Sequence, residues 1–281
     1  MTVSLVVGAA GGVGLEVTRG LLKRGHIVIA TVLNDAEEKL LHAEAPGVTA
    51  VHRVNLGNAD GTLKAVQGIA AGLKTLNNVA VCAAISPLGP TEYTPLELLR
   101  RTLEINTISQ VALGQAALPK LRESRGRLLY ITSMSGKLGL PFIGAYTASK
   151  FALEGIADTW RQEVSKSGVS IILVEPGGIK TPMVKAQLDQ VAEMIASLPP
   201  ETDAMYGHLY RGFQKAASAA YHDENTGSTP AQVAEIVIEG LTAETPKTRY
   251  IAGADAVQLL GARHNMSDLD FDALLAQFFA P

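Results

Sequence analysis

The chain of 281 residues carries 24 Lys and Arg against 27 Asp and Glu, a net charge of −3, and 47% of it is hydrophobic. That size suits one large α/β unit or two small ones with ample apolar material for a core, and so balanced a charge offers no clustered basic field to nucleic acid or an anionic membrane. The single cysteine, Cys82, cannot close an internal disulfide, no stretch approaches the roughly 20 apolar residues that span a bilayer, and the six histidines are scattered without ligand spacing, so no metal site is expected. With no basic and apolar leader ahead of the first strand, the expected compartment is the cytoplasm.

Short β-branched runs alternate with longer helical patterns along the chain. The runs are "VSLVV" (3–7), "HIVIATV" (26–32), "GVTAVHRV" (47–54), "NVAVCAA" (78–84), "GRLLYITS" (126–133), "VSIILVEP" (169–176) and "TRYIAG" (248–253). Strands this uniformly apolar are covered on both faces, and the segments between them are long enough for crossover helices. The expected fold is therefore α/β, a doubly wound parallel sheet of about seven strands, forming a single domain over 1–281. After the sixth run an insertion from 180 to 228 carries "TPMVK", "SLPPE", "MYGH" and "NTGSTP". Within it, "VKAQLDQVAEMIASL" puts Val184, Leu188, Val191, Met194, Ile195 and Leu198 on one helical face, which predicts a lid over something apolar.

"GAAGGVG" (8–14) follows the first strand and opens a helix, so main-chain N–H groups at a helix N-terminus can receive a pyrophosphate that Cβ atoms would block. It reads in two registers, GxxxGxG on Gly8, Gly12 and Gly14, or GxxGxxG on Gly8, Gly11 and Gly14; glycines alone also make ordinary turns. Further on, Tyr146 and Lys150 are four residues apart at the start of a helical pattern and so share one face. Most isolated pairs of this kind are surface pairs. Here, however, an ammonium beside a phenol favours its ionised form and moves a poor acid toward neutral pH. Ser133 closes the preceding strand at the carboxyl edge of the sheet, where a hydroxyl can hold a substrate oxygen.

Taken in order, "VVGAAGGVG", "EINTISQ", "YITSMSG", "YTASK" and "VEPGGIKTPM" resemble the short-chain dehydrogenases/reductases over most of the chain. The resemblance implies a Rossmann-type fold and a catalytic tetrad carried onto Asn106, Ser133, Tyr146 and Lys150. Ser133, thirteen residues before Tyr146, is selected over Ser135, which becomes a loop hydroxyl. It also selects the GxxxGxG register, since no room follows the seventh strand for the sugar-nucleotide domain that accompanies the other; Gly11 is then a permissive extra. Tyr146 is expected to exchange a proton with a carbonyl or alcohol oxygen while hydride moves to or from a nicotinamide. Ser133 shares the oxygen's charge, Lys150 lowers the phenol's pKa and binds the nicotinamide ribose, and Asn106 holds a relay water or stabilises a helix kink. The dinucleotide is expected on Gly8, Gly12, Val13, Gly14, Leu33, Asp35, Asn55, Leu56, Ala83, Ala84, Tyr146, Lys150, Pro176, Gly177, Ile179 and Thr181.

Three departures bear on this expectation. Val7 replaces the family's threonine before the first glycine. "VCAA" (81–84) replaces its "NNAG", removing an asparagine that ties neighbouring strands, with Cys82 as core rather than nucleophile. The residues aligned with the family's acidic or basic cofactor selector are Val32 and Leu33, and neither decides the cofactor. Asp35 lies at the right distance for a ribose carboxylate, but with Glu38 it also has the form of a capping box, the favoured reading. Asp35, Glu37 and Glu38 crowd this end with negative charge, and the glycine turn and strand-two end hold no Arg or Lys. NAD is therefore preferred over NADP.

The substrate rim is apolar: Leu138, Leu140, Pro141, Phe142 and Ile143 precede Tyr146, and the lid adds Met183, Tyr206, Tyr210 and Phe213. Leu140, Phe142 and Met183 are the named pocket residues, and the substrate expected is a hydrophobic secondary alcohol or ketone rather than a phosphorylated or carboxylate-rich one. His208 and His222 read equally as surface or pocket residues. By resemblance, helices near 97–123 and 146–166 pair with a second subunit, giving a homodimer or homotetramer. The apolar tail "FDALLAQFFAP" is expected to dock on its own body or a neighbour. Two rival readings, a catalytically silent dinucleotide sensor and a sugar-nucleotide epimerase, fit less well, because the Tyr-x-x-x-Lys is intact and the larger C-terminal domain is missing.

Overall fold

The computed structural model describes residues 1–223 and 226–280; Asn225 of "NTGSTP" and Pro281 of the tail lie outside the described residues. Seven parallel strands form one sheet in the order β3-β2-β1-β4-β5-β6-β7: β1 (Val3–Val7), β2 (Ile27–Val32), β3 (Ala50–Arg53), β4 (Asn78–Val81), β5 (Arg127–Ile131), β6 (Ser170–Pro176) and β7 (Arg249–Ala252). All seven expected runs are strands. Those at 47–54 and 78–84 are trimmed to their paired centres, although Cys82 N still donates to Val7 O at the end of β4.

Side chains alternate between the faces, as the strand period requires. Leu5, Val7, Val79, Val81, Leu128 and Tyr130 join one buried cluster, while Val6, Ala80, Leu129 and Ile131 join the other. The crossovers are α1 (Gly12–Lys23), α2 (Asp35–Glu44), α3 (Ala59–Ala71), α4 (Leu96–Leu103) running on into α5 (Ser109–Ser124), α6 (Gly144–Glu163) and, between β6 and β7, α7 (Pro182–Ala196), α8 (Pro200–His222) and α9 (Pro230–Thr242). After β7 come α10 (Ala254–Asn265) and α11 (Asp268–Phe278).

Two features of this frame position a site. The strand order reverses between β1 and β4, and in doubly wound sheets the crevice beyond the carboxyl ends at such a point receives the ligand. The 180–228 insertion forms the two helices α7 and α8, each with Pro in its first turn; α7 is capped by Thr181, whose hydroxyl accepts from Val184 N at 3.3 Å. The tail docks on its own body. Phe271, Leu275 and Phe279 bury against Leu138 and Leu259, with Phe213 alongside.

Candidate active site

The glycine turn sits at the β1 end of the crevice. Gly8 has φ +74°, a conformation that favours glycine, and a Cβ there would lie 2.7 Å from that of Ala83. A Cβ on Gly14 would lie 2.1 Å from Gly8 O, so the turn closes only with glycine at both positions. Gly11, by contrast, has φ −70° and room for a Cβ 3.4 Å from Gly8 O, which makes it the permissive member of the set. Gly12 packs against Thr181. Helix α1 starts at Gly12 with no side-chain cap and no acid in its first turn, so the Gly12, Val13 and Gly14 end keeps donors and space for a dinucleotide pyrophosphate.

At the ends of β2 and β3 the expectation for Asp35 needs correcting. The helix cap is Asn34, whose side chain accepts from Glu37 N at 3.0 Å, and Asp35 is the first helical residue. Cap geometry needs an extended residue, and Asn34 (φ −152°, ψ 177°) is the one outside the helix. Asp35 instead pairs with Arg53 at 2.5 Å, and Glu38 pairs with the same guanidinium at 2.7 Å. Leu33 is exposed, and its N–H donates to Glu37 Oε2 at 2.7 Å. Asn55 Oδ1 accepts from Gly57 N at 2.8 Å, closing a turn, while Leu56 and Val54 are core.

Tyr146, Lys150 and Ser133 come together at the β5 end. Lys150 is buried, donates from Nζ to Ile131 O at 2.8 Å, and stands 5.6 Å from the centre of the Tyr146 ring. Ser133 opens a short 3₁₀ turn, its Oγ accepting from Ser135 N at 3.0 Å, and it also hydrogen-bonds the Tyr146 phenol. Ser135 is a buried loop residue. Burial pushes the Tyr146 phenol above its ordinary value, and the Ser133 hydrogen bond offsets this only in part. The sequence-based expectation of a lowered phenol is thus reversed for the protein without ligand, since desolvation outweighs the Ser133 hydrogen bond. Burial also lowers Lys150, to about 8, while Glu154 and Cys82 act to raise it. The Cys82 thiol itself is pushed up to about 12 by burial, consistent with a core residue.

Asn106 lies in a π-helical turn, Glu104–Ile108, inserted between α4 and α5. Its Oδ1 accepts from Ile85 N at 2.9 Å, and its Nδ2 donates to Ile85 O at 2.8 Å and Ser149 Oγ at 3.0 Å. The side chain therefore ties the loop after β4 to α6. Gln110 Nε2, bonded to Ala83 O at 2.9 Å, anchors the same "VCAA" loop, including the half-buried Ala83 and Ala84, where the family asparagine is missing.

After β6, Pro176, Gly177, Ile179 and Thr181 line the loop leading to α7. Gly178 N donates to Asp255 Oδ2 at 2.7 Å, and a Cβ on Gly177 would lie 2.2 Å from that carboxylate, so the glycine admits the clasp. Ser228 N and O bond Gly178 O and Lys180 N at 2.8 and 2.9 Å, stitching the loop from its other side.

The short chain dehydrogenase family matches residues 2–192. The chain belongs to this family. It is 30% identical over 263 residues to a 3-amino-tetrahydro-pyrrolizinone reductase of Xenorhabdus hominickii, covering 90% of this chain and 87% of that one. It is 28% identical over 282 residues to an NADPH-dependent 3-dehydrocapnine reductase of Ornithobacterium rhinotracheale, covering 98% and 96%. A short-chain dehydrogenase structure from Streptomyces avermitilis superposes with a TM-score of 0.77 at 21% identity, covering 99% and 95%.

In this short-chain dehydrogenase Val184, Leu188, Val191, Met194 and Ile195 of α7, and Leu198 just after it, are withdrawn from solvent, Val191 completely. Val191, Met194, Ile195 and Leu198 meet Leu88, Phe142, Ile143, Tyr210, Leu140, Tyr206 and Phe213 in a cluster that also contains Tyr146. Phe142 is buried with φ +76°, uncommon for a side chain of this size, and packs edge-on to Tyr210 at 4.6 Å and tilted on Phe213 at 5.0 Å. Met183, the third of the named pocket residues, is 41% exposed on the first turn of α7, which Thr181 caps. His208 and His222 are exposed. Among the described residues no His, Cys, Asp and Glu cluster has the form of a metal site, and no helix is long and apolar enough to cross a membrane.

Three contributors escaped the sequence reading: Arg53, Asp255, and a buried ion network in which Arg249 bonds Glu154, Asp158 and Glu175 while Lys137 reaches Glu154. Their partners lie up to 95 residues away, and no local spacing announces them. Arg53 alone left a hint, as the polar residue two before Asn55.

Proposed function

We propose that the protein is a nicotinamide-dependent oxidoreductase that interconverts a hydrophobic secondary alcohol and its ketone, with NAD preferred over NADP. The observation that carries this reading is the meeting of Ser133, Tyr146 and buried Lys150 beneath an apolar roof at the β5 end of the crevice. A bound nicotinamide supplies or accepts the hydride. In ketone reduction Tyr146 gives its phenolic proton to the carbonyl oxygen, Ser133 donates a hydrogen bond to the same oxygen as charge builds on it, and the Lys150 ammonium stabilises the tyrosinate left behind. With burial holding the phenol protonated, the protein without ligand is already loaded with that proton.

The dinucleotide is assigned to Gly8, Gly12, Val13 and Gly14 for its pyrophosphate, Leu33, Asp35, Asn55 and Leu56 for its adenosine end, and Ala83, Ala84, Pro176, Gly177, Ile179 and Thr181 for its nicotinamide end. NAD is favoured because Asp35, Glu37 and Glu38 outnumber the one guanidinium near the ribose edge. Two relatives are named as reductases, which supports the reductive direction, and one of them is NADPH-dependent; the carboxylates are what favour NAD for this chain. We assign α7 and α8 as the substrate lid. A second copy is expected on the α5–α6 face, where a groove of about 510 Å³ is lined by Val111, Leu118, Pro119, Ile156 and Trp160 beside exposed Phe151 and Ile108.

The test is absorbance at the reduced-nicotinamide band with NADH or NADPH and a panel of apolar ketones, and with the oxidised cofactors and the matching alcohols. Turnover in wild type that disappears in Tyr146→Phe supports the reading. Dinucleotide binding with no turnover in either direction across the panel removes the apolar-substrate assignment.

A further inference from the structure

The ribose edge of the crevice holds an arrangement of charge that the acidic sequence stretch alone does not describe. Strand register sets its position: Val7 of β1 pairs with Thr31 of β2, and Val32 pairs with Arg53 of β3, so the ends of β2 and β3 stand side by side, one rung beyond Val7, where the glycine turn begins. Acids hold two of the donors at this edge. The Leu33 N–H donates to Glu37 at 2.7 Å. The Arg53 guanidinium bonds Glu38 through Nε and a terminal nitrogen at 2.9 and 2.7 Å and pairs with Asp35 at 2.5 Å. A ribose hydroxyl needs only an acceptor here, which any of these carboxylates supplies. A dianionic phosphate needs donors, and it meets them already matched to negative charge.

Resting on the reading of a nicotinamide dinucleotide with NAD preferred, we infer that Arg53 is a masked phosphate receptor. Asp35 and Glu38 neutralise it, and this ion-pair cluster, rather than a residue within β2, sets the discrimination against a 2′-phosphate. The geometry separates the two carboxylates by role. Glu38 holds the guanidinium through Nε and one terminal nitrogen, while Asp35, 72% exposed, pairs with the other terminal nitrogen. The whole cluster lies at the surface, with Arg53 56% and Glu38 30% exposed, so altering it leaves the core untouched.

Binding, not turnover, tests this. NADH and NADPH are titrated calorimetrically into the full-length wild type, Arg53→Ala, the double variant Asp35→Asn/Glu38→Gln, and the triple variant that adds Arg53→Ala, with melting temperatures recorded to confirm that each is folded. Wild type is expected to bind NADH at least tenfold more tightly than NADPH. The double variant is expected to move that ratio at least tenfold toward NADPH, mainly through tighter NADPH binding, and the triple variant to lose the gain. Raising the salt concentration should erode the gain, because the unmasked attraction is ionic. If the double variant keeps the wild-type ratio, or the triple variant retains the gain, the masking by Asp35 and Glu38 is overturned while the NAD reading stands. If wild type instead prefers NADPH and Arg53→Ala weakens it tenfold, Arg53 is already open to phosphate and the NAD preference itself fails.

Discussion

The Lys150 ammonium stands 5.6 Å from the centre of the Tyr146 ring and is anchored from behind by the Ile131 carbonyl at 2.8 Å. Because burial lowers the ammonium to about 8 from its ordinary 10.5, its charge is lost inside the range where the enzyme can be assayed. The cation that supports a tyrosinate is present below pH 8 and fades above it. kcat/KM for the cofactor, which reports the free enzyme, is expected to fall on the alkaline side with a midpoint near 8. Stability moves the other way. Between about 8 and 10.5 the unfolded chain binds a proton that the folded chain has released, so Lys150's contribution to stability rises with pH across that window and is flat below it. Denaturant midpoints of wild type and Lys150→Met at pH 7, 9 and 10 check this; a profile of kcat/KM that stays level to pH 10 would show the ammonium to be higher than stated.

Ser133 has two duties that one substitution separates. Its Oγ accepts from Ser135 N and also bonds the Tyr146 phenol. Ser133→Ala is expected to lower kcat by about 10²–10³, the order found when one donor to a developing oxyanion is removed, and to leave dinucleotide affinity within a few-fold. Ser133→Thr keeps the hydroxyl and should recover part of the rate. A Ser133→Ala protein with near wild-type kcat would remove the serine from the chemistry.

The roof over Tyr146 is attached to the segment after β4 at two points. Gln187 Nε2 donates to Ser86 O at 2.7 Å, and the Tyr206 hydroxyl donates to the Glu92 carboxylate, with the Tyr206 ring set edge-on to Tyr93 at 5.6 Å. Tyr206→Phe combined with Gln187→Ala removes both polar ties and leaves the apolar face of α7 intact. The pair of helices should open more often, seen as faster tryptic cleavage at Lys185 and a several-fold higher KM for apolar ketones with kcat little changed. Unchanged cleavage would mean that apolar packing alone holds α7 and α8 down.

What the sequence made legible follows from how locally each feature is encoded. The strands, the glycine turn, the Tyr-x-x-x-Lys pair and the apolar face of α7 are short-range patterns of period or spacing, and each appears in the structure where its spacing put it, although the helix ends before Leu198. One error arose where a choice between neighbours turned on backbone angles. Asn34 rather than Asp35 takes the extended cap conformation. The raised phenol of Tyr146 depends on the packing of α7 and α8 around it, which no spacing between Tyr146 and Lys150 encodes. Arg249 was invisible as a site-supporting residue because its three carboxylate partners lie on β6 and α6.

Arg249 gives the sharpest stability test. It bonds Glu154 at 2.9 Å, Asp158 at 2.6 Å and Glu175 at 2.9 Å, with Glu154 and Glu175 almost wholly buried. Arg249→Met keeps much of the side-chain volume but leaves two buried carboxylates facing each other, with Lys137 as the remaining partner of Glu154. Removing one side of a buried ion network destabilises by about 3–5 kcal/mol, so a large fall in Tm is expected at pH 7. Burial and the Glu154 charge already raise the Glu175 carboxyl, against the pull of Arg249 and Lys137; without Arg249 it rises further. A carboxyl raised in the folded state binds its proton more tightly there than in the unfolded chain, so lowering the pH through the acid range favours folding. The Tm deficit of Arg249→Met relative to wild type should therefore shrink between pH 7 and pH 5, and Arg249→Met/Glu175→Gln should recover part of it at pH 7. A deficit that grows on acidification would mean that the loss arises from packing at β7 and not from the stranded carboxylates.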